Sequence, residues 1–222
     1  MNLQAAIFDF NGTLSDDETI LYQIFAELFA KLWRYELAPD DYFARLAGRS
    51  DREIIATVAG EAMALNTPAE RLTVVNELLD ARAGRYSEIV AQDCPIRPAT
   101  VELIHALTAR GVPLAIVTGA QRADVRHVLS LSPVAESFAH LITAEDVERG
   151  KPDPQGFLMA AAALDVPPAE IVVFEDSIAG IRGATAAGMR CIAVRGTHDE
   201  TTLRAETDDV VGELSPEVLN LL

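Results

Sequence analysis

The chain has 222 residues, half of them hydrophobic, enough to bury one sizeable domain or two modest ones. Its formal net charge of −16 argues against nonspecific binding to nucleic acid or an anionic membrane, whose phosphates it would repel. The apolar runs are far shorter than a membrane span, no signal-peptide pattern is visible, and Cys94 and Cys191 have no metal-ligand spacing. The expectation is a cytoplasmic protein with buried thiols.

The first predicted element is a strand, Ala5-Ala6-Ile7-Phe8, which ends by delivering Asp9. A carboxylate there has no role as a sheet residue and is a candidate nucleophile or metal ligand at the carboxyl edge of a sheet. Ser15, Asp16 and Asp17 then read as helix-cap and first-turn residues, followed at helical spacing by Ile20, Leu21, Ile24, Phe25, Leu28 and Leu32. Pro39 and Asp40 break that helix. Gly48 to Asp51 is a loop leading into Ile54, Ile55 and Val58, and residues 60–68 are mixed. A longer helix spans 68–90, with Leu72, Val75, Leu78, Leu79, Tyr86 and Ile89 as its apolar stripe. Arg82 and Arg85, on the same helix, are expected to face solvent. Trp33, Tyr35 and Tyr42 read as core residues of this block.

From Pro95 onward helix and strand alternate. Helices are predicted at 98–109, 123–131, 154–164, 178–187 and 216–222. Strands are predicted at 112–117, 140–143, 171–174, 191–194 and, more briefly, 210–211. This alternation implies an α/β fold with a doubly wound parallel sheet, interrupted after its first strand by an inserted helical domain. The expected division is a core of residues 1–15 and 94–222 and a cap of residues 16–93.

Three of the predicted strands end in polar residues: Asp9, Thr118 and the pair Glu175-Asp176. Lys151, one of two lysines, precedes a helix. If the strands are neighbours, these groups converge. Gathered carboxylates need a cation, and oxygen donors without His or Cys suit Mg²⁺. A lysine and a hydroxyl beside the metal make a phosphate site, where Asp9 can attack phosphorus. The four histidines show no ligand spacing.

The segments DFNGTL, VTG, GKPDP and FEDSIAGIRGATAAG resemble the four ordered motifs of the haloacid dehalogenase superfamily. The helical insertion after the first motif is similar to that of the β-phosphoglucomutase-like phosphatases. The resemblance covers essentially the whole chain. It implies that Asp9 is the nucleophile and a Mg²⁺ ligand, that the Asn11 carbonyl and the Glu175 and Asp176 carboxylates complete the metal site, and that Lys151 pairs with Asp9 and the phosphate. It further implies that Thr118, Gly119 and Ala120 hold the transferring phosphoryl group and that Gly48 and Arg49 form the substrate-specificity loop.

One position departs from that pattern. Where the family has an aspartate that acts as general acid and base, this chain has Asn11. An amide cannot exchange the proton, and such help is worth about 10²–10⁴-fold. The expected function is therefore a Mg²⁺-dependent phosphohydrolase of small phosphorylated metabolites, such as sugar phosphates, slowed by Asn11. The protein is expected to be a monomer or weak homodimer. The alternatives are a phosphosugar mutase, which would need the missing aspartate, or a slow or non-catalytic binder of phosphorylated ligands.

Overall fold

The structure, a computed structural model, describes residues 3–63 and 67–222. The first strand, β1 (Ala5–Phe8), is buried at all four positions. It pairs in parallel with β2 (Leu114–Val117) on one side and β4 (Ile171–Glu175) on the other. With β3 (Phe138–Ile142), β5 (Arg190–Val194) and β6 (Val210–Val211) these strands form a six-stranded sheet in the order β3-β2-β1-β4-β5-β6. The central strands are continuous apolar runs because helices cover both faces, which removes the pressure for alternation.

The alternate residues of β1 feed two separate cores. Ala6 and Phe8 face a cluster with Leu103, Ile104 and Val128, from helices α5 (Pro98–Ala109) and α6 (Arg122–Ser130). Ala5 and Ile7 face Phe157, Ala160, Ile181 and Ala184, from α7 (Gln155–Leu164) and α8 (Ile178–Ala186). Phe8 stacks on Phe174 at 4.7 Å between ring centroids, which locks β1 to β4.

Between β1 and α5 lie four helices: α1 (Glu18–Trp33), α2 (Pro39–Arg45), α3 (Asp51–Ala62) and α4 (Pro68–Val90). They carry a core of their own, built on Phe25, Phe29, Tyr42, Ile55, Val58 and Leu78. Tyr42 lies in that core as expected, whereas Trp33 and Tyr35 are only partly buried and pack on its margin. Helix α4 opens with a capping box in which Thr67 accepts from the Glu70 N–H at 3.2 Å and Glu70 accepts from the Thr67 N–H at 3.0 Å.

Several expectations need correction. The first helix ends at Trp33, where Arg34 turns left-handed, and not at Pro39 and Asp40; Pro39 instead opens α2, because proline at the first helical position lacks an N–H that would go unpaired there. Leu32 and Leu72, placed on apolar stripes, are 53% and 55% exposed. The expected helix at 216–222 is a 3₁₀ segment, Pro216–Asn220. The short α9 (Glu200–Arg204), capped by the Asp199 side chain, was not expected. Of the stretch read as mixed, α3 takes in residues up to Ala62, and residues 64–66 lie outside the described residues. Cys191 is buried as expected, while Cys94 is partly exposed.

The largest correction concerns Arg82, which is 1% exposed rather than solvent-facing. Its guanidinium pairs with Asp51 of α3 at 3.2 Å and with Asp124 of α6, and lies 4.6 Å from the centre of the Tyr86 ring. It thereby joins α4 to the sheet-covering helix α6. Arg85 is exposed, as expected, and pairs with Glu88 and Glu27. No helix among the described residues is long and apolar enough to cross a membrane.

Candidate active site

In the strand order β3-β2-β1-β4-β5-β6 the direction of winding reverses between β1 and β4, which opens a crevice at their carboxyl ends. Phe8 is in register with Phe174, so Asp9 emerges beside Glu175 and Asp176. The Asp9 N–H donates to the Phe174 carbonyl at 2.9 Å and extends the ladder by one bond. The chain then turns sharply, with the Gly12 N–H donating to the Ser15 carbonyl at 2.8 Å and the Ser15 N–H to the Phe10 carbonyl at 2.9 Å. Gly12 has φ +74°, and a Cβ there would stand 2.1 Å from Asp176 Oδ2, so the turn tolerates no side chain.

Asp9, Glu175 and Asp176 are all buried, and each offers a carboxylate oxygen within 4.8 Å of the others. Lys151 Nζ donates to Asp9 Oδ1 at 2.5 Å and to Glu175 Oε1 at 2.6 Å. The other oxygens of Glu175 and Asp176 are held from the core. Glu175 Oε2 accepts from the Ser177 N–H at 2.7 Å and its hydroxyl at 2.8 Å. Asp176 accepts from Thr13 Oγ1 at 2.9 Å, from the Thr197 N–H at 2.9 Å and from the Thr197 hydroxyl. These bonds fix the direction in which each carboxylate points.

Electrostatically the cluster is unbalanced, with three carboxylates against one ammonium. Burial pushes the Asp9 carboxyl up to about 7, Lys151 pulls it down and Glu175 pushes it up. Asp176 is raised well above the usual carboxylate range by burial and by the Glu175 and Asp9 charges. Burial alone would lower the Lys151 ammonium, but the Asp9 and Glu175 carboxylates outweigh it and hold it above its ordinary value. A compact, all-oxygen, excess-negative donor set fits a small hard divalent cation.

Thr118 follows β2 directly, and its hydroxyl accepts from the Ala120 N–H at 3.0 Å. Gly119 is approached by the loop before α3, since a Cβ on it would lie 3.7 Å from Ser50. Gly48 has φ +79°, and a Cβ there would sit 2.8 Å from the Ser177 Cβ, so the same loop also touches the core beside Glu175. Arg49 is exposed, lines the cleft and has no ion-pair partner among the described residues. Arg122 does not turn to the cleft, and instead pairs with Asp146 and donates to the Leu141 carbonyl.

The structure thus brings Asp9, Asn11, Thr118, Gly119, Ala120, Lys151, Gly48 and Arg49 to one small cavity of about 30 Å³, roughly the share of one water in the liquid. It shares Gly48, Arg49, Thr118, Gly119 and Lys151 with a neighbouring cavity of about 560 Å³, also lined by Arg52 and Arg149. Glu175 and Asp176 lie in the carboxylate cluster beneath.

Two features escaped the sequence. Asp17 sits at the start of α1 but makes no cap hydrogen bond. Its Oδ2 accepts from Asn11 Nδ2 at 2.8 Å, from Ser15 Oγ at 2.5 Å and from the Tyr86 hydroxyl. The second is Glu18, which is buried, lines the same small cavity as Asp9, and accepts from the Tyr42 hydroxyl at 2.8 Å. Both look in sequence like ordinary first-turn helix acids, and nothing in their spacing marks them otherwise.

The model of the haloacid dehalogenase-like hydrolase family matches residues 6–194. A validoxylamine A 7′-phosphate phosphatase of Streptomyces hygroscopicus subsp. limoneus is 36% identical over 219 residues, covering 96% of this chain and 94% of its own. Hexitol phosphatase A of Escherichia coli K12 is 32% identical over 216 residues, covering 96% and 93%. Among solved structures, a mutant CbbY from Rhodobacter sphaeroides, in complex with xylulose-(1,5)bisphosphate, superposes with a TM-score of 0.84 at 27% identity, over 97% of this chain and 96% of that one. The order of the four motifs, the doubly wound sheet, the acidic cluster at its switch point and these similarities agree: the chain belongs to the haloacid dehalogenase-like hydrolase family.

Proposed function

We propose that the protein is a Mg²⁺-dependent phosphohydrolase of small phosphomonoesters that works through an aspartyl-phosphate on Asp9. The observation that carries this is the Asp9 carboxylate, held by Lys151 at 2.5 Å inside a buried cluster with Glu175 and Asp176. Asp9, the Asn11 carbonyl, Glu175 and Asp176 would hold the ion. When bound, Mg²⁺ supplies charge neutralisation to the cluster and to the phosphoryl oxygens.

The chain's own groups have separable tasks. The free oxygen of Asp9 attacks phosphorus in line with the ester oxygen. Lys151 orients Asp9 and offers positive charge to the phosphoryl group, joined by the Gly119 N–H and by the Thr118 hydroxyl, which the Ala120 N–H holds in place. Residues 16–93 act as a cap, and the close approach of Gly48 to Ser177 and of Ser50 to Gly119 supports a role in keeping bulk water from the site. Arg49 and the 560 Å³ cavity fit a polyhydroxylated alcohol portion, in keeping with the named substrates of the phosphatases that resemble this chain. The acidic, thiol-bearing composition fits a cytoplasmic enzyme.

The test is pre-steady-state hydrolysis of p-nitrophenyl phosphate with Mg²⁺. The aryl leaving group needs little acid assistance, so a burst of p-nitrophenolate equal to the enzyme is expected. Asp9→Asn should abolish both burst and turnover, a loss of at least about 10³-fold. A burst that survives Asp9→Asn rules out this nucleophile.

A further inference from the structure

If the family's acid–base position is an amide here, another group must handle the proton or turnover will stall after one phosphoryl transfer. The cleft narrows the choice. The carboxyl groups lining its small cavity are Asp9, Glu18 and Asp51. Asp9 is the nucleophile of the reading above. Asp51 is paired with Arg82 at 3.2 Å. The Asn11 amide lines the cavity but is engaged by Asp17, which does not line it. Glu18 remains, and its hydrogen-bond partner among the described residues is the Tyr42 hydroxyl.

We propose that Glu18 is the general acid and base of this enzyme, taking the place that Asn11 leaves vacant. The inference rests on the phosphatase reading. In the first step Asp9 attacks phosphorus, the ester P–O bond breaks, and its electron pair goes to the leaving oxygen. That oxygen takes the Glu18 proton and departs as the alcohol. In the second step the Glu18 carboxylate removes a proton from water as the water oxygen attacks phosphorus. The P–O bond to Asp9 breaks, its electrons return to the Asp9 carboxylate, and inorganic phosphate leaves with Glu18 protonated again.

The surroundings suit that cycle. Glu18 is pushed up to about 8, first by burial, against the Tyr42 hydrogen bond that lowers it, and further by the charges of Asp17, Asp9 and Asp51. It therefore carries a proton at neutral pH and has a modest driving force to give it up. Tyr42 is raised well above the usual phenol range by burial and by Glu18, so it stays a donor and holds the carboxyl in one orientation. Because Glu18 opens α1, it is anchored on a helix and not on a loop.

The test compares glycerol 3-phosphate, a poor leaving group, with p-nitrophenyl phosphate, a good one, under single turnover. Glu18→Gln should lower the rate on the alkyl ester by about 10²–10⁴-fold more than on the aryl ester. Asn11→Asp in the Glu18→Gln background should recover most of the alkyl rate. In the wild type, kcat/KM on the alkyl ester should fall above about pH 8, with no such limb on the aryl ester. That profile needs no variant, so a poorly folding Glu18→Gln protein does not obscure the outcome. Equal losses on both esters, a change in KM alone, or a limb shared by both substrates would overturn the assignment while leaving the phosphatase intact. Hydrolysis of neither ester by the wild type overturns the phosphatase reading itself.

Discussion

At the scale of single residues, the cleft concentrates buried acids beyond what Lys151 can balance. Asp17 is pushed up to about 6, chiefly by burial, and Glu18 to about 8. For each of these groups the folded-state value lies above the unfolded one, so the folded protein binds more protons than the unfolded chain between about pH 4 and pH 8. Stability must fall as pH rises through that window. At about 1.4 kcal/mol per unit of separation, Glu18 alone imposes a penalty on the order of 4–5 kcal/mol by pH 8. Glu18→Gln should therefore raise the melting temperature of the metal-free protein at pH 8 and leave it nearly unchanged at pH 4. A variant that melts lower than the wild type at pH 8 contradicts the burial argument. Asp9 was legible in the sequence because a strand end has no structural use for a carboxylate. Glu18 was not, because an acid in the first turn of a helix is stabilising anywhere.

At the scale of elements, α4 joins the helical block to the core. Its Arg82 reaches Asp51 on α3 and Asp124 on α6 at once. Removing the guanidinium would strand two buried carboxylates, and breaking a buried pair in this way costs about 3–5 kcal/mol. Arg82→Ala is expected to lower the urea midpoint by the corresponding amount, with m unchanged if unfolding remains two-state. A loss below about 1 kcal/mol would mean that water reaches the carboxylates. The bounds of α4 and α5 match expectation at both ends because each opens on proline, whose fixed φ and missing N–H mark a helix start locally. The burial of Arg82 depends on a partner 42 residues away, which no periodicity encodes.

At the scale of the whole molecule, the formal charge of −16 is paired with a site for an anionic substrate. The local excess of carboxylates resolves this if a divalent cation fills the cluster of Asp9, Glu175 and Asp176. Binding to the folded state alone stabilises by about 2.7 kcal/mol at 100 times Kd, which for a chain of this size is roughly 5–10 °C in melting temperature. Saturating Mg²⁺ should produce that rise, a chelator should reverse it, and Asp176→Asn should reduce it. A melting temperature indifferent to Mg²⁺ argues against the cation site.

The sequence alone determined most of the order of strands and helices, the run of helices that follows β1, and the candidacy of Asp9, Thr118, Lys151, Glu175 and Asp176, which stand at or near strand ends. Each of these is written in local signals: apolar runs, helix starts, and polar groups where strands must end. Which side chains meet was decided only by the tertiary structure, through the parallel pairing of β1 with β4 and the packing of α4 against α1, α3 and α6. That packing buries Asp17, Glu18 and Arg82 and converts ordinary helix-surface charges into groups with altered protonation or obligate partners. The physical reason is desolvation, because a residue's charge is read from sequence but its environment is supplied by distant parts of the chain.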